Sequence, residues 1–400
     1  MVDKLAQDYS VDSAVMKTYG RAEISFVRGQ GCWLESEAGE QYLDCSSGIA
    51  VNTLGHAHPQ MVSALIEQGK KLWHVSNLYR IPEQENVAKS LARLANLSQV
   101  FFCNSGVEAT EAAVKIARRS AYERGEPDRT TILCADGAFH GRTLGMLAAT
   151  DRPIFRRGFG PIPSGFEHSP LGDLSALRAK MGSNIAAIMV EPIQGEGGVR
   201  QVSSDFLVGL RNLADEFGAL LIADEVQAGI GRSGSFFSYE FSGIQPDIVA
   251  VAKGLGGGFP IGAVITSKDV GESMSPGTHG STFGGNPLAM AVAKVVIDIV
   301  SEKTFLKDIV SRASYLEERL VQLYDNNPGK IIEVRGRGFL RGIRLADDFD
   351  SSEMVGSLRR AKVLAVPAAE NTVRLLPPLI ISREEIDFLM DRLKFVMTSD

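Results

Sequence analysis

The sequence predicts an α/β protein in which helices surround a mostly parallel central sheet. Short apolar runs alternate with helix-forming segments between about residue 51 and residue 300, as they do in parallel sheets with helical crossovers. Two of these runs end in polar residues before a glycine-containing turn, at 219–231 and 247–258. Ligands bind to open α/β sheets at the carboxyl ends of the strands, so this edge is the expected functional edge.

A chain of 400 residues is too long for one ordinary core, so we expect two lobes. The residues before the alternating region include 26–36, which predict a small antiparallel ribbon around a Gly-Gln-Gly turn. The residues after it include 315–324, which have the spacing of an amphipathic helix. The predicted divisions are a segment 1–50 of a small domain, a large domain 51–300, and a segment 301–400 that belongs to the small domain.

Composition narrows the class of protein. The apolar content of 44%, with 22% charged residues, is typical of a globular chain, and the net charge of −6 argues against nucleic-acid binding. The four cysteines show neither Cys-x-x-Cys spacing nor the density of a disulfide scaffold, so we expect a reducing, cytoplasmic setting. The longest apolar stretch, 289–300, is interrupted by Lys294 and Asp298, and the first residues lack the apolar core of a signal peptide. We therefore expect no membrane segment and no secretion.

Lys253 ends the apolar run 247–253 and is followed at once by the turn Gly-Leu-Gly-Gly-Gly. A buried ammonium group is costly unless it is neutralised, paired or covalently bonded. Bond formation with an aldehyde cofactor would remove that cost. The alternative is a surface lysine that opens a glycine turn, and this run alone leaves both interpretations open.

Asp224 ends a second apolar run, 219–224, so a parallel sheet would bring it to the same edge as Lys253. An amine and a carboxylate at this edge suit pyridoxal 5′-phosphate (PLP). The amine holds the aldehyde carbon of PLP, and the carboxylate keeps its pyridine nitrogen protonated. The alternatives for Asp224 are a strand-end cap and a metal ligand.

Ser105 and Gly106 lie where the strand-like run 99–103 changes into a helix-forming stretch. Free backbone N–H groups and the positive end of the helix dipole favour a phosphate there, and Gly106 allows close approach of the backbone. An ordinary helix cap has the same appearance. Glu111 and Lys115, four residues apart, predict a supporting ion pair on this helix.

Phe139 and Arg142 lie in a loop that follows another strand-like run. Phe139 offers a ring to stack on a flat cofactor, and Arg142 offers a planar fork for a carboxylate. His140, in the same loop, and the pair His56 and His58 lack the spacing of a zinc site. We interpret these histidines as loop-packing residues and expect no metal.

Ordered motifs along nearly the whole chain resemble those of the class III, or ω-amino, PLP-dependent aminotransferases of fold type I. Within this class they are most similar to those of enzymes that act on N2-acetylornithine. The resemblance implies a mostly parallel central sheet wrapped by helices, with a smaller α+β domain built from both termini. The matching motifs are at 26–31, 42–44, 48–52, 54–59, 74–79, 104–106, 139–143, 191–198, 224–227, 253–254, 279–287 and 373–378.

The resemblance also implies PLP as the cofactor and no metal. Lys253 is then the Schiff-base lysine and proton shuttle, and Asp224 partners the pyridine nitrogen. The other cofactor-binding positions are Ser105, Gly106 and Val107 at the phosphate, Phe139 on the ring, Gln227 near the 3′-oxygen, Val226, and Thr282.

Thr282 would reach the phosphate from a second subunit, so the resemblance implies a homodimer with shared active sites. Val107 departs from the family pattern, in which threonine often follows Ser-Gly. Its backbone donor survives, so we expect phosphate binding with one fewer contact, a difference of about 1 kcal/mol.

The resemblance implies two arginines for two kinds of substrate. Arg142 would bind the distal α-carboxylate of N2-acetylornithine, and Arg374 would bind the carboxylate next to the reacting carbon of glutamate. Glu196 would pair with Arg374 while the ω-amine is bound; the alternative is a loop carboxylate among glycines. Tyr19 and Ser281 are the further substrate contacts.

The implied activity is transamination of N2-acetylornithine with 2-oxoglutarate, which gives N-acetylglutamate 5-semialdehyde and glutamate, as in arginine biosynthesis. The expected partners are a small amino donor, 2-oxoglutarate and a second copy of the chain, with no nucleic acid and no membrane. Succinylornithine, ornithine and 4-aminobutyrate are alternative donors. An aminomutase, a decarboxylating enzyme and a PLP-binding protein without turnover also stay open.

Overall fold

A computed structural model describes residues 14–398 of the chain. It has a central sheet of seven strands, two sheets of four strands and one two-stranded ribbon. The strands are β1 (Phe26–Gln30), β2 (Trp33–Ser36), β3 (Gln41–Asp44), β4 (Gln99–Cys103), β5 (Thr131–Ala135), β6 (Phe166–Ser169), β7 (Ile185–Val190), β8 (Ile193–Gln194), β9 (Arg200–Gln201), β10 (Leu220–Asp224), β11 (Ile248–Val251), β12 (Gly262–Thr266), β13 (Ile331–Arg337), β14 (Leu340–Leu345), β15 (Val363–Leu364), β16 (Val366–Ala368) and β17 (Thr372–Leu375).

Helices cover the central sheet and complete the smaller domain. Four of them begin at a proline, which suits the first helical position because its missing N–H would have no partner there. The helices are α1 (Ser47–Ala50), α2 (Pro59–Gly69), α3 (Pro82–Ala95), α4 (Gly106–Glu123), α5 (Leu144–Ala149), α6 (Pro153–Arg156), α7 (Leu174–Lys180), α8 (Ser204–Phe217), α9 (Lys268–Gly271), α10 (Pro287–Val300), α11 (Lys303–Asp325), α12 (Ser351–Arg360) and α13 (Arg383–Thr398). No helix within residues 14–398 is both long and apolar enough to cross a membrane.

The central sheet has the strand order β4-β12-β11-β10-β7-β5-β6. Its neighbouring pairs are parallel except around β12, which runs antiparallel to β4 and to β11. Every residue of β5, β7, β10 and β11 is buried, as expected when helices cover both faces of a parallel sheet. The prediction of a mostly parallel sheet is confirmed, and the carboxyl ends of these strands share one edge.

α4 packs against β11 and β12 through a row of buried alanines, which lets the helix approach the sheet closely. Ser105 caps it, because its side chain accepts a hydrogen bond from the Glu108 N–H at 3.3 Å. The predicted Glu111–Lys115 ion pair is not among the ion pairs of the described residues. Lys115 Nζ lies 2.8 Å from Nδ1 of His279, and Glu111 accepts a hydrogen bond from Thr143 at 2.5 Å, so tertiary partners replace the pairing within the helix.

The smaller domain joins the two ends of the chain. β3 pairs in parallel with β15, which places Leu43 opposite Val363. A second sheet, ordered β13-β14-β17-β16, carries Arg374 on β17. The predicted ribbon at 26–36 is the antiparallel pair of β1 and β2. The exact boundaries 1–50, 51–300 and 301–400 stay a prediction.

Candidate active site

The predicted functional residues gather at the carboxyl edge of the central sheet. Asp224 is the last residue of β10, and Lys253 follows β11 after one intervening residue. Glu191 follows β7 directly, and the loop after β5 carries Phe139 and His140. The sheet thus brings groups that lie more than one hundred residues apart into one crevice.

Lys253 has φ +41°, a left-handed backbone conformation that is uncommon for a residue with a side chain. Burial lowers the pKa of its amine to about 8, and the nearby positive charge of Arg374 acts in the same direction. The carboxylates of Glu196, Asp224 and Glu191 oppose this shift and do not overcome it. Lys253 therefore holds an amine that loses its proton near neutral pH, as a nucleophile or a base requires.

Asp224 is buried, and each of its carboxylate oxygens has one partner. One carboxylate oxygen lies 2.7 Å from Nδ1 of His140, and the other accepts a hydrogen bond from the Val226 N–H at 3.0 Å. Burial alone would lower the pKa of His140, but its hydrogen bond to Asp224 and the charge of that carboxylate raise it above the ordinary value. The expectation that His140 only packs in its loop is wrong, because its ring is the buried partner of Asp224.

Glu191 is a buried carboxyl group to which the sequence analysis gave no role. Burial raises its pKa to about 7; His140 opposes this, and the negative charge of Asp224 adds to it. Its side chain accepts a hydrogen bond from the Phe139 N–H at 2.9 Å, so it fixes the loop that carries the aromatic ring. A glutamate at the end of a buried strand is the signal that could have identified it.

The start of α4 has the shape of a phosphate cradle. A Cβ at Gly106 would come within 2.6 Å of Val226, so only glycine allows this backbone to lie against the strand end of β10. A Cβ at Gly141 would come within 2.3 Å of Val107, so glycine also keeps the Phe139 loop against the helix start. Ser105, Gly106 and Val107 lie together, as predicted, where backbone donors and the helix dipole favour an anion.

Arg374 is almost fully buried and has two side-chain partners. Its Nη1 donates to Oε1 of Glu196 at 2.7 Å and to Oε1 of Gln227 at 2.7 Å. Burial would raise the pKa of Glu196, but Arg374 holds it below its ordinary value. Gly195 permits the contact, since a Cβ there would lie 1.9 Å from Gln227. The structure thus brings together the predicted pair of Arg374 and Glu196.

Arg142 is exposed and stacks on aromatic rings. Its Cζ lies 3.5 Å from the ring centre of Phe155 and 5.5 Å from that of Phe139. It has no ion pair or side-chain hydrogen bond with another residue of the described chain, 14–398. Its guanidinium edge is therefore available to a ligand.

The remaining predicted residues lie at the rim or the surface. Ser281 accepts a hydrogen bond from Asn104 at 3.2 Å, one residue before the cap of α4. Thr282 is exposed, and the side chain of Tyr19 is 74% exposed, with Arg21 over its ring. No group of three or more possible metal ligands occurs among the residues that the structure describes.

The donor set fits PLP. The amine of Lys253 is suited to an aldehyde, the helix start at Gly106 to a phosphate, and the carboxylate of Asp224 to a protonated ring nitrogen. His140 leaves its Nε2 without a partner among the described residues, and its Nδ1 side fixes the carboxylate.

Comparisons with known proteins agree with this geometry. The family model for aminotransferase class III matches residues 15–397. The acetylornithine aminotransferase of Agrobacterium fabrum is 49% identical over 92% of this chain and 92% of that protein. The N-acetylornithine aminotransferase of Stenotrophomonas maltophilia K279a has a TM-score of 0.83 and 34% identity, covering 95% of this chain and 97% of that one. The ornithine aminotransferase of Toxoplasma gondii, whose structure has partial occupancy of PLP at the active site, has a TM-score of 0.92 and 31% identity. The match covers 96% of this chain and 92% of that one. The chain described here belongs to the class III aminotransferases.

Proposed function

We propose that this protein transfers the ω-amino group of N2-acetylornithine to 2-oxoglutarate with PLP as its cofactor. The observation that carries the proposal is the contrast between two arginines. Glu196 covers Arg374 at 2.7 Å, whereas Arg142 has no anionic partner among residues 14–398. Such a site offers one open carboxylate receptor for a donor that reacts at its far end. Relatives named acetylornithine aminotransferase, at 46–49% identity, support the same donor.

Bound PLP supplies an electron sink for the negative charge that develops when the donor carbon loses its proton. Lys253 would hold the aldehyde carbon of PLP, and Asp224 would keep its ring nitrogen protonated. Ser105, Gly106 and the backbone of Val107 would hold the phosphate, and Phe139 would stack on the ring. Val226 and Gln227 would lie beside the ring, since they are the second and third residues after Asp224 in the chain.

Lys253 also moves the proton. A pKa of about 8 leaves a substantial share of the amine neutral near pH 7.5, so it can accept a proton from the donor carbon without a second base. The φ of +41° places this lysine in a tight turn rather than in the strand.

The two half-reactions need two arrangements of charge. N2-acetylornithine reacts at its ω-amine, so its α-carboxylate lies far from Lys253 and pairs with Arg142. Glutamate reacts at its α-amine, so its α-carboxylate lies close and must pair with Arg374. Glu196 then has to leave, and its 25% exposed side chain has solvent to move into.

We further propose a homodimer in which Thr282 completes the phosphate site of the partner subunit. Thr282 is exposed here, although its neighbour Ser281 is bonded to Asn104 beside the cap of α4. A second copy would also cover a set of large apolar side chains that are exposed in the single chain. They include Ile49, Val62, Ile66, Leu72, Trp73, Leu78, Tyr79 and Phe283. Four buried, unpaired cysteines support the proposed cytoplasmic location.

The proposal is tested with purified holoenzyme and a panel of amino donors with 2-oxoglutarate. The panel contains N2-acetylornithine, N2-succinylornithine, ornithine and 4-aminobutyrate, and the measured quantity is kcat/KM for glutamate formation. We expect N2-acetylornithine to give the highest value. A higher value for another donor would show that the proposed substrate is wrong. A rearranged product formed without 2-oxoglutarate, or release of CO2, would show that the proposed reaction is wrong.

A further inference from the structure

We propose that Phe155 is a positioning residue that holds Arg142 as the receptor for the distal carboxylate of the donor. The proposal rests on the role assigned to Arg142 above and extends it to a residue for which the sequence analysis predicted no role. Phe155 belongs to the short helix α6 and is half-buried. It does not lie on a strand end, and its contribution is visible only in the folded chain.

Arg142 stacks directly on the ring of Phe155. Cζ of Arg142 lies 3.5 Å from the centre of the Phe155 ring, the distance of a guanidinium stacked on an aromatic ring. A stacked guanidinium keeps its N–H groups at its edge, and these groups can form two parallel hydrogen bonds with a carboxylate. Phe139 lies farther away, at 5.5 Å, so it contributes less to holding Arg142.

Helix α6 is hydrogen-bonded to the end of α5. Arg156 follows Phe155 and donates hydrogen bonds to the last backbone carbonyl groups of α5. These bonds reach the carbonyls of Leu147 at 2.9 Å, Ala148 at 3.1 Å and Thr150 at 3.0 Å. A cation at the C-terminus of a helix satisfies carbonyl groups that have no partner within the helix. The ring of Phe155 is therefore fixed relative to α5.

The start of α5 also fixes the backbone of Arg142. Thr143 caps the start of α5 by accepting a hydrogen bond from the Met146 N–H at 3.2 Å, and it donates to Glu111 of α4 at 2.5 Å. Arg142 precedes this cap, whereas Phe155 follows the other end of the helix. One short helix thus sets the separation between the arginine and the ring on which it stacks.

The segment that carries Phe155 also contacts the loop of Glu196. Arg152 lies with its Cζ 5.5 Å from the Phe155 ring centre, and its Nη1 donates to the backbone carbonyl of Glu196 at 3.2 Å. Asp151, its neighbour, accepts a hydrogen bond from the Gly137 N–H at 3.0 Å. The segment that carries Phe155 is therefore anchored to both loops of the proposed substrate site.

The energetic consequence is preorganisation of a long side chain. Without the ring, Arg142 would sample many rotamers in solvent, and the carboxylate would have to order it on binding. A cation–π contact at a partly exposed site supports a five- to tenfold effect on carboxylate affinity. Phe155 also lies edge-on to Phe139, with ring centres 6.0 Å apart. A ligand without a distal carboxylate does not use Arg142, so its unchanged reaction separates a role through Arg142 from a role through Phe139.

The test compares holoenzyme variants Phe155→Leu and Phe155→Tyr. Leucine keeps an apolar side chain without the ring, and tyrosine keeps the ring. Phe159→Leu is the matched control, since it makes the same change in an exposed phenylalanine four residues farther along. Binding of N-acetylnorvaline, which has the distal carboxylate but no ω-amine, is measured by calorimetry. KM and kcat are measured for N2-acetylornithine and for pentylamine, which has no carboxylate.

We expect Phe155→Leu to weaken N-acetylnorvaline binding and to raise KM for N2-acetylornithine by five- to tenfold, with kcat and the pentylamine reaction retained. Phe155→Tyr should restore the affinity. In an Arg142→Ala background, Phe155→Leu should add no further loss. An equal loss for pentylamine, an equal loss in Phe159→Leu, or a further loss in the Arg142→Ala background would overturn the proposal. If wild type favours 4-aminobutyrate, the proposed donor is wrong, and the same comparison with that carboxylate still decides the role of Phe155.

Discussion

Replacing Glu196 with alanine should tighten glutamate binding, because the α-carboxylate of glutamate must displace Glu196 from Arg374. A hydrogen bond between charged groups contributes about 1.5 to 3 kcal/mol. The 2.7 Å contact is made by a single nitrogen, and the Glu196 side chain is 25% exposed, so solvent screening places it near the lower value. We therefore expect a glutamate Kd about tenfold lower, which corresponds to about 1.4 kcal/mol.

The same change should weaken the preference for the ω-amine. With Arg374 uncovered, the α-carboxylate of ornithine can bind close to Lys253, and its free α-amine can then react. The product changes from an aldehyde to a 2-oxo acid, and chromatography of the product distinguishes the two. Glu196→Gln should behave similarly, since it removes the charge and keeps the size.

Rapid-mixing measurements of each half-reaction separately provide the assay. Glu370→Ala is the matched control, because it removes another loop glutamate that pairs with an arginine, Arg335, at 2.5 Å. If Glu196→Ala left both the glutamate Kd and the ornithine product unchanged, or if Glu370→Ala gave the same effects, the switch assigned to Glu196 would be refuted.

Four further predictions concern Lys253, Asp224 and Arg142. Lys253→Ala should bind PLP without a borohydride-reducible bond, and peptide mapping of reduced wild type should find the label on Lys253 and on no other lysine. Reconstitution with PLP should speed up as pH rises through about 8, because the lowered pKa makes the amine neutral above that value; a midpoint near 10.5 would contradict this reading. Asp224→Asn should slow transamination by at least a hundredfold, about 2.7 kcal/mol of barrier, and turnover near that of wild type would make the carboxylate structural. Arg142→Ala should weaken the N2-acetylornithine half-reaction about tenfold or more and the glutamate half-reaction less, as stopped-flow traces of both would show.

Local sequence patterns were sufficient to predict which residues lie at the ends of the strands. Asp224 and Lys253 follow apolar runs, and the parallel arrangement of those runs dictates that both lie at one edge. His140 was misjudged because its partner, Asp224, lies 84 residues away and no spacing rule joins them. Lys115 was misjudged for the same reason, since its contact with His279 depends on how a distant loop returns to α4.

The contact between Phe155 and Arg142 could not be predicted from the sequence either. Its segment has no strand or helix signal of its own beyond a proline, and the stacking on Arg142 arises from the length of α5 and the bonds of Arg156. Periodicity describes a residue relative to its own element. It does not predict that the Phe155 ring, which follows α5, contacts the Arg142 side chain, which precedes α5.

The closeness of Gly195 to Gln227 makes the substrate preference depend on a position without a side chain. An added methyl group would lie 1.9 Å from the amide oxygen that Arg374 uses, so either Gln227 or the loop of Glu196 must retreat. Both movements loosen the guanidinium of Arg374 and leave the donors at Lys253 and Asp224 in place. Gly195→Ala should therefore lower the discrimination between the two ends of ornithine more than it slows the chemistry at Lys253 and Asp224. Selection for a different amine can act at this uncharged position, which precedes Glu196 directly in the chain.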